Sequence, residues 1–217
     1  MSVRTKICGL NDAASVRAAL DGGADAIGLV FYAPSPRAVT PAEAGSLVAD
    51  ADVDKVMKVG LFVDPDDDLL DSALAGVALD LLQLHGAETP ARVAEIGART
   101  GLPTMKAFKI RHAEDLGAVG EYDSATSWLL FDAKAPDDAR NALPGGNGIA
   151  FDWHLLAGRE WRHPWMLSGG LDADNVAEAV RVTGAPWVDV SSGVESAPGK
   201  KDPARITAFL EAVRAVH

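Results

Sequence analysis

Two side chains that can take part in acid–base chemistry, Lys6 and Cys8, end the first apolar run of the chain. Because side chains two positions apart point to the same face of a β-strand, we expect the ammonium and the thiol to lie side by side. A neighbouring ammonium lowers the pKa of a thiol and favours the thiolate, which could then remove a proton from a substrate. A lone cysteine is also commonly a small buried apolar residue, and this segment alone leaves both interpretations open.

A carboxylate ends another apolar run, at Asp132 in the segment Leu129–Ala133. An acidic residue in that place can be a loop cap or a surface residue. If the strands form a parallel barrel, however, their C-terminal ends meet at the face that carries the active site. Asp132 and Cys8 would then approach from different sides of the barrel mouth, which suits an acid and a base acting on one small molecule.

Two turns of small residues follow later strands, Ser168-Gly169-Gly170-Leu171 and Ser191-Ser192-Gly193-Val194. Glycine lets backbone N–H groups approach a phosphate, and a helix N-terminus adds a favourable dipole. Barrel enzymes frequently hold phosphate after strands seven and eight. The two turns therefore predict a phosphate site made by residues Gly169, Gly170, Ser192 and Gly193.

Three more side chains are candidates for substrate binding. Arg37 lies in a proline-stiffened loop and could pair with a carboxylate through two hydrogen bonds, although a solvated surface arginine is the alternative. His85 follows the fourth apolar run, where it could line the barrel mouth or cap the next helix. Asp189 is expected to point inward and either pair with Lys6 or contact a sugar hydroxyl.

The elements that must position these residues alternate along the chain as short apolar runs and longer amphipathic segments. The expected strands are Val3–Cys8, Ala26–Phe31, Val56–Val63, Asp80–Leu84, Thr104–Phe108, Trp128–Asp132, Trp165–Ser168 and Trp187–Ser191. Eight strand–helix repeats in 217 residues predict one α/β domain over residues 1–217, a (β/α)₈ TIM barrel with eight parallel strands. A doubly wound open sheet is the alternative, but it normally has fewer strands at this length.

The expected helices have recognisable start signals. Asn11, Thr40, Asp172 and Asp202 each precede an apolar stripe, and such residues commonly cap helix N-termini. A proline- and glycine-rich stretch at 133–148 lies between the sixth strand and the next helix. An irregular stretch of this length is typical of a functional or mobile loop, here expected over the C-terminal face of the barrel.

Composition excludes several classes of protein. The formal net charge of −11, from 31 acidic and 20 basic residues, argues against binding to nucleic acid or to anionic membranes. The single cysteine excludes a disulfide framework, and the five histidines are scattered, so no metal site is expected. No apolar run approaches the roughly 20 residues of a membrane span, and no signal-peptide pattern begins the chain. We therefore expect a cytoplasmic protein.

In these motifs, and in their order over almost the whole length, the chain resembles the phosphoribosylanthranilate isomerase family. The matching segments are Lys-Ile-Cys-Gly at 6–9, Gly-Leu-Val-Phe and Ser-Pro-Arg within 28–37, Val-Gly-Leu-Phe-Val at 59–63, Leu-Gln-Leu-His-Gly at 82–86, Phe-Asp at 131–132, Gly-Gly-Asn-Gly at 145–148, Ser-Gly-Gly-Leu at 168–171 and Asp-Val-Ser-Ser-Gly-Val-Glu at 189–195. The first and last segments are specific, whereas the glycine turns alone would not be.

The resemblance implies an isomerase of tryptophan biosynthesis that needs neither cofactor nor metal. Its reaction is an Amadori rearrangement of N-(5-phosphoribosyl)anthranilate to the corresponding 1-amino-1-deoxyribulose phosphate. Asp132 corresponds to the general acid that protonates the furanose ring oxygen, and Cys8 to the general base that removes the C2′ proton. Arg37 corresponds to the arginine associated with the anthranilate part, and the two glycine turns to the phosphate grip. Family members occur as monomers and dimers, so both oligomeric states are open.

Departures from the family pattern concern the loop and the phosphate surroundings. The loop after Asp132 is longer, with Asp137, Asp138 and Arg140 inserted, and Asn147 and Ser168 replace the usual residues.

Three alternatives compete with this interpretation. A metal-dependent pentose-phosphate epimerase needs several His and Asp ligands, of which only His85 is well placed. A dual-substrate isomerase that also serves histidine synthesis normally uses two aspartates, so Cys8 argues against it. A non-catalytic phosphate-binding barrel would have no need of Cys8 and Asp132 together.

Overall fold

Eight parallel strands pair in sequence order, and the first pairs with the last to close a barrel. The computed structural model describes residues 2–49, 53, 55–134, 145–146 and 150–216. The strands are β1 Arg4–Cys8, β2 Ala26–Val30, β3 Met57–Phe62, β4 Leu81–Leu84, β5 Thr104–Ile110, β6 Trp128–Ala133, β7 Trp165–Leu167 and β8 Trp187–Val190. The predicted (β/α)₈ barrel is confirmed, and the open sheet is wrong.

Within the described residues, six α-helices surround the barrel, where eight were expected. They are α1 Ala13–Asp21, α2 Pro41–Ala49, α3 Asp67–Gly76, α4 Pro90–Thr100, α5 Val176–Thr183 and α6 Pro203–Arg214. After β5 the chain forms a 3₁₀ helix, Ala113–Tyr122, in which Gly117 and Gly120 lower the α-helix propensity. Between β6 and β7 the helical structure of the described residues is a short 3₁₀ helix, Trp153–Leu155. Gly158 follows it with its backbone in the left-handed region.

Between β8 and α6 lie three small elements. They are a 3₁₀ helix at Ser192–Val194 and a ribbon of two antiparallel strands, β9 Glu195–Ala197 and β10 Lys200–Lys201. The 3₁₀ helix contains Ser192 and Gly193 of the second small-residue turn. Within the described part of the chain, no helix is long and apolar enough to cross a bilayer.

The helix start signals are confirmed at two of four places. Thr40 and Asp202 accept hydrogen bonds from amides in the first turns of α2 and α6. The cap of α1 is Asp12 rather than Asn11, whose side chain instead donates to a distant carbonyl. Asp172 closes a turn of its own by accepting from two nearby amides, and α5 therefore begins further along the chain.

Inward-facing side chains divide the barrel into an apolar lower part and a polar upper part. A cluster of apolar residues fills the lower interior: Ala26, Val59, Leu81, Met105, Ala107, Leu130, Met166 and Trp187. Two residues further along several strands, the next inward positions are polar, for example Gln83, Asp132 and Asp189. Since strand side chains alternate between faces, Ile7 packs in the outer layer while Lys6 and Cys8 point inward, as expected.

Thr89 offers a test of how α4, the helix after β4, is held in place. Its hydroxyl accepts a hydrogen bond from the Arg92 amide at 3.3 Å, and Pro90 occupies the first helical position. Thr89→Ala leaves that amide without its partner, so we expect the free energy of unfolding to fall by about 1 kcal/mol. In a chain of this size the melting temperature should drop by about 2–4 °C. Thr89→Ser keeps the cap and is the control; equal stability of the alanine and serine variants would contradict the assignment.

Candidate active site

The C-terminal ends of the barrel strands surround a cleft that encloses about 740 Å³, its open mouth included. Eight of the ten residues predicted for the site line it: Cys8, Arg37, His85, Asp132, Gly169, Gly170, Asp189 and Ser192. Lys6 is fully buried and is not part of the lining. Gly193 is not part of the lining either, and a Cβ at that position would lie 1.9 Å from the Leu171 carbonyl oxygen.

A buried ion pair joins β1 to β8 on the inner face of the barrel. The Lys6 Nζ lies 2.8 Å from Asp189 Oδ1, and Ser168 donates to the other carboxylate oxygen at 3.1 Å. Burial by itself lowers the pKa of Lys6, but Asp189 and Cys8 together raise it by more. Lys6 is therefore held as an ammonium, and of the two partners expected for Asp189, the structure shows the lysine.

The Cys8 thiol is 3% exposed and lies on the same strand face as Lys6. Burial raises its pKa, and although Lys6 and Lys201 lower it, the net direction is upward. The expectation that the ammonium makes the pKa of Cys8 low is therefore wrong, because removal from water outweighs the charge. Room for the sulfur comes from Gly28 on β2, where a Cβ would lie 2.8 Å from Sγ.

A hydrogen-bonded row runs from β4 to β6. Gln83 Nε2 lies 2.9 Å from His85 Nδ1, and His85 Nε2 lies 3.1 Å from Asp132 Oδ2. The Ala133 amide donates to Asp132 Oδ1 at 2.9 Å. His85 thus lines the barrel mouth and does not cap α4. Sequence reasoning missed Gln83, whose signal was a polar residue inside an apolar strand, two positions before His85.

Arg37 is buried at the cleft and is not a solvated surface residue. Its guanidinium donates two hydrogen bonds to Glu195, at 2.7 and 2.8 Å, and Lys201 lies 2.9 Å from the same carboxylate. Burial raises the pKa of Glu195, but these two cations lower it by more. Burial lowers the pKa of Lys201, and its pairing with Glu195 only partly offsets this. Two cations sharing one carboxylate give this cluster, Arg37–Glu195–Lys201, one net positive charge.

Sequence reasoning missed Glu195 and Lys201 as site residues. Glu195 ends the last family-like segment, Asp-Val-Ser-Ser-Gly-Val-Glu, which was a usable signal. Lys201 carried no local signal, because it reaches the site through the β9–β10 ribbon. Its Nζ also donates to the Ser191 carbonyl at 2.9 Å.

Gly145 and Gly146 fold over the acid side of the cleft. A Cβ at Gly145 would lie 2.9 Å from both Asp132 Oδ2 and His85 Nε2, and the Gly146 carbonyl accepts from Arg37 at 3.2 Å. The rest of the proline- and glycine-rich stretch, including Asp137, Asp138, Arg140 and Asn147, lies outside the described residues.

The two small-residue turns bring Gly169, Gly170 and Ser192 to the cleft, with Gly193 next to its lining. Gly169 and Gly170 have φ values of +91° and +65°, and a Cβ at Gly169 would lie 2.5 Å from the Ala133 amide nitrogen. The amides of these glycines, and those of Ser192 and Gly193, donate to no acceptor within the described residues. Unpaired backbone N–H groups in glycine-rich turns can bind an anion.

The described part of the chain contains no group of three or more His, Cys, Asp or Glu side chains that could hold a metal ion.

Comparison with known proteins gives one consistent family. The family model for N-(5′-phosphoribosyl)anthranilate isomerase matches residues 5–212. The protein of that name from Paracoccus denitrificans is 59% identical over 210 residues, covering 97% of this chain and 96% of the relative.

Solved structures of the same family are similar to this barrel. One is the structure of mutually generated monomers of the dimeric isomerase from Thermotoga maritima. It has a TM-score of 0.82 and 32% sequence identity, and the match covers 97% of this chain and 98% of the relative. Another, a phosphoribosylanthranilate isomerase in complex with reduced 1-(o-carboxyphenylamino)-1-deoxyribulose 5-phosphate, has a TM-score of 0.83 and 32% identity, with the same coverage.

Titration of Cys8 tests the electrostatics of the site, because it is the only cysteine in the chain. Since burial outweighs the nearby cations, we expect the ultraviolet absorbance of the thiolate to rise at a pH above the ordinary thiol pKa. The neutral thiol then stabilises the fold below the ordinary pKa, and this contribution is lost as the pH rises through the raised value. The protein unfolded in denaturant is the control, and a folded midpoint at or below the unfolded one would contradict the prediction.

Proposed function

The chain belongs to the N-(5′-phosphoribosyl)anthranilate isomerase family and is an isomerase of tryptophan biosynthesis, and we propose that Asp132 and Cys8 are the acid and base of its reaction. The observation that carries the proposal is their placement. Both are buried, both line one cleft, and they reach it from β6 and β1. One substrate can therefore meet a proton donor and a proton acceptor at once.

The acid step opens the sugar ring. Asp132 gives its proton to the furanose ring oxygen, the C1′–O bond breaks, and the nitrogen lone pair forms a C1′=N iminium. A carboxylate is left on Asp132, where His85 can donate a hydrogen bond to Oδ2 and the Ala133 amide one to Oδ1. Donors already in place stabilise the charge as it forms.

The base step makes the enol. A Cys8 thiolate takes the C2′ proton, the C–H electron pair forms a C1′=C2′ double bond, and the iminium electrons return to nitrogen. Loss of the C2′ hydroxyl proton and protonation at C1′ then give the ketone. The Lys6 and Lys201 ammonium groups stabilise the thiolate, while the raised pKa makes it scarcer but more basic.

Two anionic parts of the substrate have matching partners in the cleft. The free amides of the two glycine turns suit the phosphate, and they bind it whatever the net charge of the protein. The Arg37–Glu195–Lys201 cluster, with its net positive charge, suits the anthranilate carboxylate. The complex of a relative with a reduced carboxyphenylamino-deoxyribulose phosphate supports a ligand of this class.

The family assignment decides between the alternatives. It argues against a metal-dependent epimerase and against a non-catalytic barrel. The dual-substrate alternative is disfavoured by Cys8, which stands where that chemistry uses a carboxylate.

We further propose a cytoplasmic enzyme that needs neither metal nor cofactor and has no nucleic-acid or membrane partner. The acid, the base and the donors around them are all supplied by this chain, so the reaction as written requires no further group. The Thermotoga maritima relative is described as dimeric. For this chain we propose that the protein is a monomer or a homodimer. Sedimentation of the purified protein distinguishes them.

Substitution of the acid and the base tests the mechanism. The amide in Asp132→Asn cannot donate the ring-opening proton. The hydroxyl in Cys8→Ser is too weak an acid to ionise, so it cannot take the C2′ proton as a thiolate can. We expect each to lower kcat by about 10²–10⁴-fold, the usual contribution of a general acid or base. The assay is the loss of phosphoribosylanthranilate fluorescence, with that substrate generated in situ from anthranilate and phosphoribosyl pyrophosphate in the presence of EDTA.

Asp71→Asn is the matched control, because Asp71 lies exposed on α3 and pairs there with Arg99. It should turn over like the wild type. Near wild-type kcat in either site variant would refute that assignment, and loss of wild-type activity in EDTA would refute metal independence.

Replacement of the guanidinium tests the carboxylate site. Arg37→Ala removes hydrogen bonds to a charged group worth about 1.5–3 kcal/mol, so KM should rise roughly 10- to 100-fold while kcat changes less. Lys201 still pairs with Glu195, and we expect the fold to survive. Arg4→Ala, at the other end of β1, is the control. An unchanged KM in Arg37→Ala would mean that the anthranilate carboxylate of the substrate binds elsewhere in the cleft.

A further inference from the structure

We propose that Gln83 is a positioning residue for the acid: it holds His85 as the neutral tautomer with its proton on Nε2, so that His85 donates to Asp132. This inference rests on the proposed role of Asp132 and adds a residue to it. The observation behind it is the buried row Gln83–His85–Asp132, whose members touch end to end across the barrel interior.

Gln83 is built into the barrel wall at the cleft, which it helps to line. Its side chain is fully buried, on the inward face of β4, two residues before His85. The Nε2 atom contacts His85 Nδ1 at 2.9 Å, while Oε1 is buried with no hydrogen-bond partner in the described part of the chain. A buried amide oxygen without a hydrogen-bond partner lowers the stability of the fold. The contact of the amide nitrogen with His85 is thus the one polar contact of this side chain in the described part of the chain.

The hydrogen-bond inventory fixes the direction of the row. The amide nitrogen of Gln83 can only donate, so His85 Nδ1, 2.9 Å away, must be an acceptor. A neutral imidazole has one N–H group, which then lies on Nε2. That N–H donates to Asp132 Oδ2, 3.1 Å away, which can accept it in either protonation state of the carboxyl group. Among the charged side chains of the described residues, Asp132 is the one in hydrogen-bond contact with His85.

The consequence lies in the chemical step. When Asp132 gives up its proton, the N–H of His85 already points at the carboxylate that forms. Without Gln83, nothing selects this tautomer, and the imidazole can present a lone pair to Oδ2 or take up a second proton. A lone pair opposes ionisation of Asp132, whereas an imidazolium keeps Asp132 ionised and therefore unable to donate.

Two substitutions separate these effects. Gln83→Met fills similar space with neither donor nor acceptor. Gln83→Glu keeps the shape but offers only acceptors, which draws a proton onto His85 Nδ1. Leu82→Met is the matched control, because Leu82 is equally buried on β4 but faces the outer layer.

We expect kcat to fall roughly 10- to 100-fold in both Gln83 variants, as happens when the outer partner of a metal-bound histidine is removed. KM should change little, because the Gln83 side chain is fully buried and its amide nitrogen is engaged with His85. Leu82→Met should behave like the wild type. The pH dependence of kcat should also change in Gln83→Glu, since a second carboxylate beside His85 favours the imidazolium and shifts the acid limb to higher pH.

Nitrogen-15 NMR of the imidazole reads the tautomer directly, with the His85 signals identified by their loss in His85→Asn. The proposal requires an Nε2–H tautomer in the wild type and its loss in both Gln83 variants. A wild-type proton on Nδ1, a charged wild-type imidazole at neutral pH, or unchanged kcat and pH profile in folded variants would overturn it. If Gln83→Met does not fold, the isosteric Gln83→Glu decides.

The two proposals fail in distinguishable ways. If the wild type shows no turnover, or Asp132→Asn keeps it, the acid assignment fails whatever the tautomer is. If Asp132→Asn is inactive while the Gln83 variants match the wild type in kcat and tautomer, the role of Gln83 alone is refuted.

Discussion

Burial of charge at the upper end of the barrel is the constraint on which the site depends. A charged group loses its hydration inside a protein and is tolerated there only with a partner. Lys6 and Asp189 satisfy this requirement for each other across neighbouring strands β1 and β8, where they stand directly opposite in register. The pair thereby links the barrel seam to the site, because the same ammonium lies beside Cys8. Removal of either partner of the pair would leave an unpaired charge in the interior and would also change the electrostatic surroundings of Cys8.

Much of the fold follows from local sequence pattern. Alternating faces on each strand put Ile7 outside and Lys6 and Cys8 inside, and eight such runs in one chain predict a closed barrel. The helical segment after β5 was mistaken for an α-helix because its apolar spacing is helical, whereas Gly117 and Gly120 favour the tighter 3₁₀ form. The start of α1 was misplaced by one residue, since Asn11 and Asp12 are both good caps and only tertiary contacts separate them.

For the site, too, features that depend on local spacing could be predicted, and features that depend on residues distant in sequence could not. Spacing shows which face a side chain takes and predicted that Asp189 points inward, whereas His85 was left open between the barrel mouth and a helix cap. It does not show partners far away in sequence, so the contacts of Glu195 with Arg37 and Lys201 were not predicted. The pKa of Cys8 was predicted in the wrong direction for a related reason. Spacing reveals the neighbouring charge, but the desolvation that outweighs it depends on the complete packing around the thiol.

Asp132 and Cys8, the proposed acid and base, share one cleft but have different electrostatic surroundings. Cys8 lies near two ammonium groups, which favour its charged form, while burial opposes it. Asp132 is contacted by an imidazole and a backbone amide, and within the described residues it pairs with no lysine or arginine. In the proposed reaction the carboxyl group therefore gives up its proton where two donors, rather than a cation, already face the oxygens that become charged. The thiolate, in contrast, depends on the ammonium groups of Lys6 and Lys201, so each of the two steps has its own source of stabilisation.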